Sequence, residues 1–203
     1  MKKFILATLL TIPLLIGCEP FTVGIDTTQN MVYESPSMLK IQNGMFNAGV
    51  AMHTWENGVG VIGFNGVITK VKTKAFYNNR NLENIILPSS VEYIEDYAFY
   101  GCVLTSVNLG NVLKQIKYCA FNGCNKLTTI IIPESIELIG DYAFYGCNKL
   151  KTVYCKATTP PIAGDNILPQ TYNGLVIYVP KSSVNLYKKA SGWASYKDNI
   201  VGM

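Results

Sequence analysis

Three sets of side chains in this 203-residue chain have types and spacings that can do chemistry: two aspartates, a row of cysteines and two rows of tyrosines. Asp96 and Asp141 hold the same position of a recurring segment, two segments apart. Neighbouring parallel strands stand ~4.8 Å apart, so stacked segments would place the two carboxyls roughly 10 Å apart, with Tyr118 between them. That is near the separation of acid and base in inverting glycoside hydrolases. Against it, Glu95 and Asp96 are adjacent in a turn, and a general acid needs surroundings that raise its pKa. The expectation is therefore that the chain is not an enzyme. A carbohydrate-active enzyme or a glycan-binding accessory protein is the alternative.

The cysteines point away from metal and redox chemistry. Cys18 stands alone near the start, and five others lie at Cys102, Cys119, Cys124, Cys147 and Cys155. An odd number argues against a fully paired framework. No CxxC pair is present and His53 is the single histidine, so a four-ligand zinc site is not expected. No cofactor is expected either, and His53, outside the recurring segments, reads as structural or surface. Gly-Cys pairs recur at 101–102, 123–124 and 146–147. Cys102 and Cys124 would come close enough for a disulfide by distance. Side-by-side parallel side chains seldom have the required torsion, so the row reads as stacked small apolar side chains, where free cysteine is at home.

The tyrosines fall in two columns, Tyr77, Tyr100, Asn122, Tyr145 and Tyr97, Cys119, Tyr142. Tyr77, Tyr97, Tyr100, Tyr142 and Tyr145 form the candidate binding face, because rigid amphipathic rings suit contacts to a protein or a sugar. Tyr77, Tyr100 and Tyr145 each follow an Ala-Phe pair. Successive side chains alternate in an extended segment, so an inward Phe predicts an outward Tyr. The competing expectation packs the rings between segments and leaves only their hydroxyls in water.

The elements that position these residues are repeats. Ala-Phe occurs at 75–76, 98–99, 120–121 and 143–144, at intervals of 23, 22 and 23 residues. Behind each pair run apolar columns: Leu82, Leu104, Leu127, Leu150; then Ile85, Val107, Ile130, Val153; then Leu87, Leu109, Ile132, Cys155. The spacing L-x-x-I-x-I and the period match a leucine-rich repeat. Further columns read Ile68, Val91, Leu113, Ile136 and Val71, Ile94, Ile116, Ile139. One unit cannot bury its own stripe, whereas stacked units bury the stripes as continuous rows. Pro88 and Pro133 turn the chain after the first strand of a unit, and Gly110-Asn111 does so in the unit that is one residue short.

The unit AFYGCNKL…TIIIPESIELIGDYAF resembles the BspA-like leucine-rich repeat of bacterial surface proteins. The resemblance implies a mostly β solenoid with few short helices, about four to five short coils over 64–156. The tail is similar to the closing segment of such proteins, which implies a C-terminal cap over 157–203. Residues 38–63 match the class less well; Gly44, Gly49, Gly58, Gly60 and Gly63 between apolar residues read as two or three short strands capping the first coil. Residues 157–174 read as a loop, followed by a strand (175–179) and a short helix (182–191). Extracellular binding to proteins, cells or glycans, without conserved chemistry, is what the class implies for function.

The first residues, MKKFILATLLTIPLLIGC, pair two lysines with an apolar run too short to span a bilayer. Leu15-Ile16-Gly17-Cys18 resembles the lipobox of bacterial lipoproteins, which implies removal of residues 1–17 and acylation of Cys18. The partner implied is a membrane, expected to be the outer membrane of a Gram-negative cell, with the protein expected on its outer surface rather than its periplasmic side. Residues 18–37 read as a polar tether. Within it, Asp26-Thr27-Thr28 resembles an O-glycosylation sequon, with Thr27 as the acceptor. Loss of residues 1–17 removes Lys2 and Lys3 and no acid, taking the formal charge from +4 to +2. Nothing in that balance suggests nucleic acid.

Overall fold

The computed structural model describes residues 28–169 and 174–203. Cys18, Thr27, the signal segment and the start of the tether lie outside the described residues. Among the described residues no helix is long and apolar enough to cross a membrane.

Each repeat folds as one coil of a solenoid with three sides. The L-x-x-I-x-I stretch supplies a front strand. β5 (Asn84–Ile86), β7 (Ser106–Asn108), β9 (Thr129–Ile132), β11 (Thr152–Cys155) and β13 (Val176–Val179) are these strands. Short strands β4 (Lys70–Val71), β6 (Tyr93–Ile94), β8 (Gln115–Ile116), β10 (Leu138–Ile139) and β12 (Ile162–Ala163) form a second, wholly parallel sheet in the order β12-β10-β8-β6-β4. The registers are those of the repeat columns: Val153 faces Ile130, and Ile116 faces Ile94 and Ile139. Alternation along a strand sends Ile130 and Ile132 inward and leaves Ile131 in solvent. In front, pairing is continuous from β5 to β7 and again from β9 to β13, but β7 and β9 belong to separate sheets. The break falls next to the unit that is one residue short between Cys102 and Leu104.

The Ala-Phe segments build the third side. Phe76, Phe99, Phe121 and Phe144 stack through the core at 5.0–5.2 Å with planes within 8° of parallel. The interior columns are buried, including Leu82, Leu104, Leu127 and Leu150, apart from Val107 on β7, which is half-buried beside the break. The rings repeat at the coil rise, so each unit contributes one rung to one uninterrupted core.

The N-terminal end corrects the tether over 18–37. Met31–Glu34 is strand β1, buried and antiparallel to both β5 and β3 (Val59–Phe64). β3 continues into a hairpin with β2 (Val50–Glu56) through Asn57-Gly58, both at positive φ. A side chain at Gly60 would run into the Tyr33 ring, which lies across it. The C-terminal end corrects the loop over 157–174. Ile162–Ala163 pairs with β10, so the stack continues instead of stopping at residue 156. Ile167 and Leu168 are buried where earlier coils place Ala and Phe, and the Phe144 N–H donates to the Ile167 carbonyl at 2.8 Å. Helix α1 (Val184–Lys189), a 3-10 segment (Ala194–Asn199) and strand β14 (Ile200–Gly202) close the end. They bury Tyr187, Trp193 and Tyr196, whose polar atoms reach the carbonyls of Ala157, Pro161 and Leu168.

Candidate functional site

The turn carrying the tyrosines is a regular device. With the coils numbered by their Ala-Phe pairs, from 75–76 in coil one to 143–144 in coil four, alternate amides of coil two close tight turns: Ala98 to Glu95, Tyr100 to Tyr97 and Cys102 to Phe99. The intervening amides reach the next coil: Tyr97 to Tyr118, Phe99 to Ala120 and Gly101 to Asn122. This double duty requires two left-handed residues per coil. One column is Lys74, Tyr97, Cys119 and Tyr142 at φ 52–60°, and the other is Asn78, Gly101, Gly123 and Gly146 at φ 54–75°. Left-handed backbone is disfavoured for residues with a Cβ. The rung bonds hold it in place at every coil, from Lys74 to Asp96 through Tyr142 to Asp165.

On this side the tyrosine rings form one belt. Tyr77 stacks on Tyr100 at 5.0 Å and 9°. Tyr97 meets Tyr77, Tyr100 and Tyr118 edge to face at 5.3–6.3 Å. Tyr118 meets Tyr142 at 6.0 Å, and Tyr142 meets Tyr145 at 5.6 Å. Tyr77, Tyr118 and Tyr145 are exposed, whereas Tyr97, Tyr100 and Tyr142 are half-buried against their neighbours. The Lys74 ammonium lies 5.8 Å over Tyr77 and 5.9 Å over Tyr97.

Tyr118 is the belt residue that column reading passes over. It stands in the aspartate column, between Asp96 and Asp141, and not in either tyrosine column. Its ring fills the gap left where coil three has Cys119 in place of tyrosine. Hydrogen bonding with Tyr97, then with Cys119, pushes its pKa up to about 12. A second surface row was also unmarked in sequence. Ile131, Tyr154, Tyr178 and Val201 are register partners across β9, β11, β13 and β14, with Tyr154 and Tyr178 stacked at 5.0 Å.

The aspartates serve the coils. Asp96 Oδ1 accepts the Tyr118 N–H at 3.1 Å, and Asp141 Oδ1 accepts the Asp165 N–H at 2.7 Å. Each caps a backbone donor of the following coil. Glu92 and Glu95 pair with Lys114 and Lys117 of the next coil at 2.9 and 2.7 Å. The thiols of Cys102, Cys124 and Cys147 donate to the carbonyls of Phe76, Phe99 and Phe121 at 3.0–3.2 Å. All five cysteines in the described residues are free and buried. His53 sits on the cap hairpin, where its Nε2 is 2.8 Å from the Tyr33 hydroxyl, far along the chain from the aspartates.

The stacked coils and their interior columns define a leucine-rich-repeat solenoid. The chain belongs to the BspA type leucine rich repeat region family, which matches residues 69–190 in six copies. A leucine-rich repeat protein from T. pallidum, whose crystal structure is solved, is 29% identical. The match covers 68% of this chain and 64% of that one, with a TM-score of 0.55. A leucine rich cell surface protein from Faecalibacterium prausnitzii is 26% identical over 68% of this chain and 30% of its own length, with a TM-score of 0.45. This chain thus spans less than two thirds of either relative. Among curated proteins, none matches.

Proposed function

We propose that the protein is a non-enzymatic cell-envelope lipoprotein, held to a membrane through Cys18, that displays its solenoid to bind a macromolecule along the tyrosine belt. The observation that carries this reading is the unbroken run of ring contacts from Tyr77 to Tyr145, with three rings exposed. Tyrosine offers a large rigid contact at low entropic cost and a hydroxyl for hydrogen bonding. A polypeptide partner fits better than a sugar. Stacking a sugar needs a free ring face, and Tyr77 and Tyr100 spend facing surfaces on each other. The belt repeats rings and hydroxyls near the coil rise, a spacing that an extended polypeptide can follow along several coils. Surface display of leucine-rich repeats in the F. prausnitzii relative accords with this role. Thr27, in the segment nearest the anchor, is the proposed glycosylation acceptor.

The test replaces the three exposed rings together, Tyr77→Ser, Tyr118→Ser and Tyr145→Ser. Attachment to host cells or matrix should fall at least tenfold while the melting temperature stays within a few degrees. A collapse of thermal stability would assign the rings to inter-coil packing, and undiminished attachment would reject the belt as the recognition face.

A further inference from the structure

The longest strand among the described residues has an uncovered edge. β2 runs for seven residues and ends its sheet, which is ordered β2-β3-β1-β5-β7. Its one ladder partner among the described residues is β3. Every other sheet end is short or covered. β4 is bridged by Phe46, and the Lys72 N–H beyond it donates to the Met45 carbonyl at 2.9 Å. Gly192 packs against Ala163 of β12. β14 is three residues long and sets Gly202 against Lys181. β7 and β9 face each other across the break in the front sheet. An open edge is a template for pairing, and proteins blunt such edges with proline, lysine, cover or short length. β2 carries no proline and no lysine, and Met52, Thr54, Trp55 and Glu56 are exposed. Its irregularity, a bulge between Val50 and Met52, leaves the ladder regular from Met52 to Glu56.

The hairpin turn fixes which backbone groups this edge offers. Glu56 and Val59 close the two-residue turn at Asn57-Gly58. The pair that closes such a turn is a hydrogen-bonded one, and bonded and non-bonded pairs alternate along an antiparallel ladder. Glu56 with Val59 and Thr54 with Val61 are therefore bonded pairs. His53 and Trp55, between and beside them, turn their N–H and C=O groups away from β3 and toward the open edge.

We propose that this edge pairs with the same edge of a second copy of the chain, antiparallel about a two-fold axis at Thr54. The register sets His53 of each copy opposite Trp55 of the other, and so engages the outward N–H and C=O groups of both residues. It sets Met52 opposite Glu56, and Thr54 opposite Thr54. A second copy is the occupant this strand fits. Like charges directly opposed are destabilising, and the strand's one carboxylate, Glu56, meets Met52 and never its own copy. Opposed threonines are a favourable cross-strand pair. Centring on His53 instead would carry the ladder into the bulge at Val50–Met52. Each chain has one such edge, so the contact is the same on both sides and closes at two copies. It joins the two five-stranded sheets into one.

Thr54 provides the test. As a non-bonded pair across the axis, its two Cα atoms would stand about 4.5 Å apart, within the roughly 4.4–6.8 Å that a disulfide spans. The experiment uses a Cys18→Ala background, in which the five remaining thiols are buried. Thr54→Cys should form a covalent dimer under oxidised glutathione at least tenfold faster than Met52→Cys, whose counterpart is Glu56. Without oxidant, sedimentation equilibrium should show monomer and dimer and nothing larger. Thr54→Lys and Thr54→Glu each set like charges face to face and should weaken dimerisation at least tenfold. Their equimolar mixture should restore it, which misfolded variants could not do. Equal crosslinking at Thr54 and Met52, species larger than a dimer, or dimerisation indifferent to both charge variants would overturn the pair. A chain that stays monomeric at every concentration would also overturn it and leave the edge to a strand of another protein.

Discussion

The Asp96 carboxylate accepts a hydrogen bond from the backbone N–H of Tyr118, one coil further along, at 3.1 Å. The same bond recurs two coils later between Asp141 and the Asp165 N–H at 2.7 Å. The recurrence gives the aspartate column a mechanical role, since each carboxylate satisfies a turn donor that has no partner in its own coil. Loss of a comparable side-chain cap costs about 1 kcal/mol. Asp141→Ala should therefore lower the melting temperature by roughly 2–4 °C for a chain of this size. Asp141→Asn, which keeps an acceptor, should restore most of it. Thermal unfolding followed by circular dichroism checks both, and an unchanged Asp141→Ala midpoint would remove the capping role.

The repeat was legible because each interior column is of one chemical kind. Leu82, Leu104, Leu127 and Leu150 announce a buried row without any knowledge of the turn between them. The belt was legible in part, for the tyrosines that keep to their columns. Tyr118 was not, because its ring crosses from the aspartate column into a neighbour's vacancy, and only the side-chain path reveals that. β1 escaped for a different reason. Met31–Glu34 is four residues among polar ones, too short to show alternation, and its partners Asn84–Ile86 lie about fifty residues away. Ile167-Leu168 escaped because the last coil replaces Ala-Phe with other apolar residues of suitable volume.

The thiols should be inert while the protein is folded. Cys102, Cys124, Cys147 and Cys155 are fully buried. Burial pushes the Cys102 and Cys155 thiols up, and hydrogen bonding with Cys147, then burial, does so for Cys124. The thiolate is the reactive form, so a raised pKa and an enclosed site act together. In a Cys18→Ala background, treatment with iodoacetamide at pH 8 should modify none of the five remaining cysteines within an hour. All five should react in denaturant. Mass spectrometry counts the adducts, and native labelling of Cys102, Cys124 or Cys147 would contradict the stacked row.

The anchor is tested by the same substitution in the cell. Two or more acyl chains hold a protein stably on a bilayer, where one is marginal. Cys18→Ala should abolish labelling by a fatty-acid analogue and move the protein from the membrane fraction to the soluble one. Retention in membranes without label would reject lipidation as the means of attachment.

The cap hairpin should respond to pH through His53. The Tyr33 hydroxyl is buried, accepts the Leu39 N–H at 3.1 Å and lies 2.8 Å from His53 Nε2. With the hydroxyl donating to Nε2, the imidazole must be neutral and carry its proton on Nδ1. Burial lowers the His53 pKa below its ordinary value of 6.5. The unfolded chain then takes up a proton more readily than the folded one. The stability that follows from this difference is present above about pH 6.5 and is lost as pH falls from there toward the folded pKa. The melting temperature should therefore decline between pH 7.5 and 5.5, above the range in which ordinary carboxylates titrate. His53→Gln keeps an acceptor for Tyr33 but cannot take a proton in this window, so it should flatten the decline. His53→Leu leaves the Tyr33 hydroxyl without its acceptor and should cost about 1–3 kcal/mol at pH 7.5. Melting curves of the three proteins across the window decide the matter: an equal decline in wild type and His53→Gln would place the titrating group elsewhere.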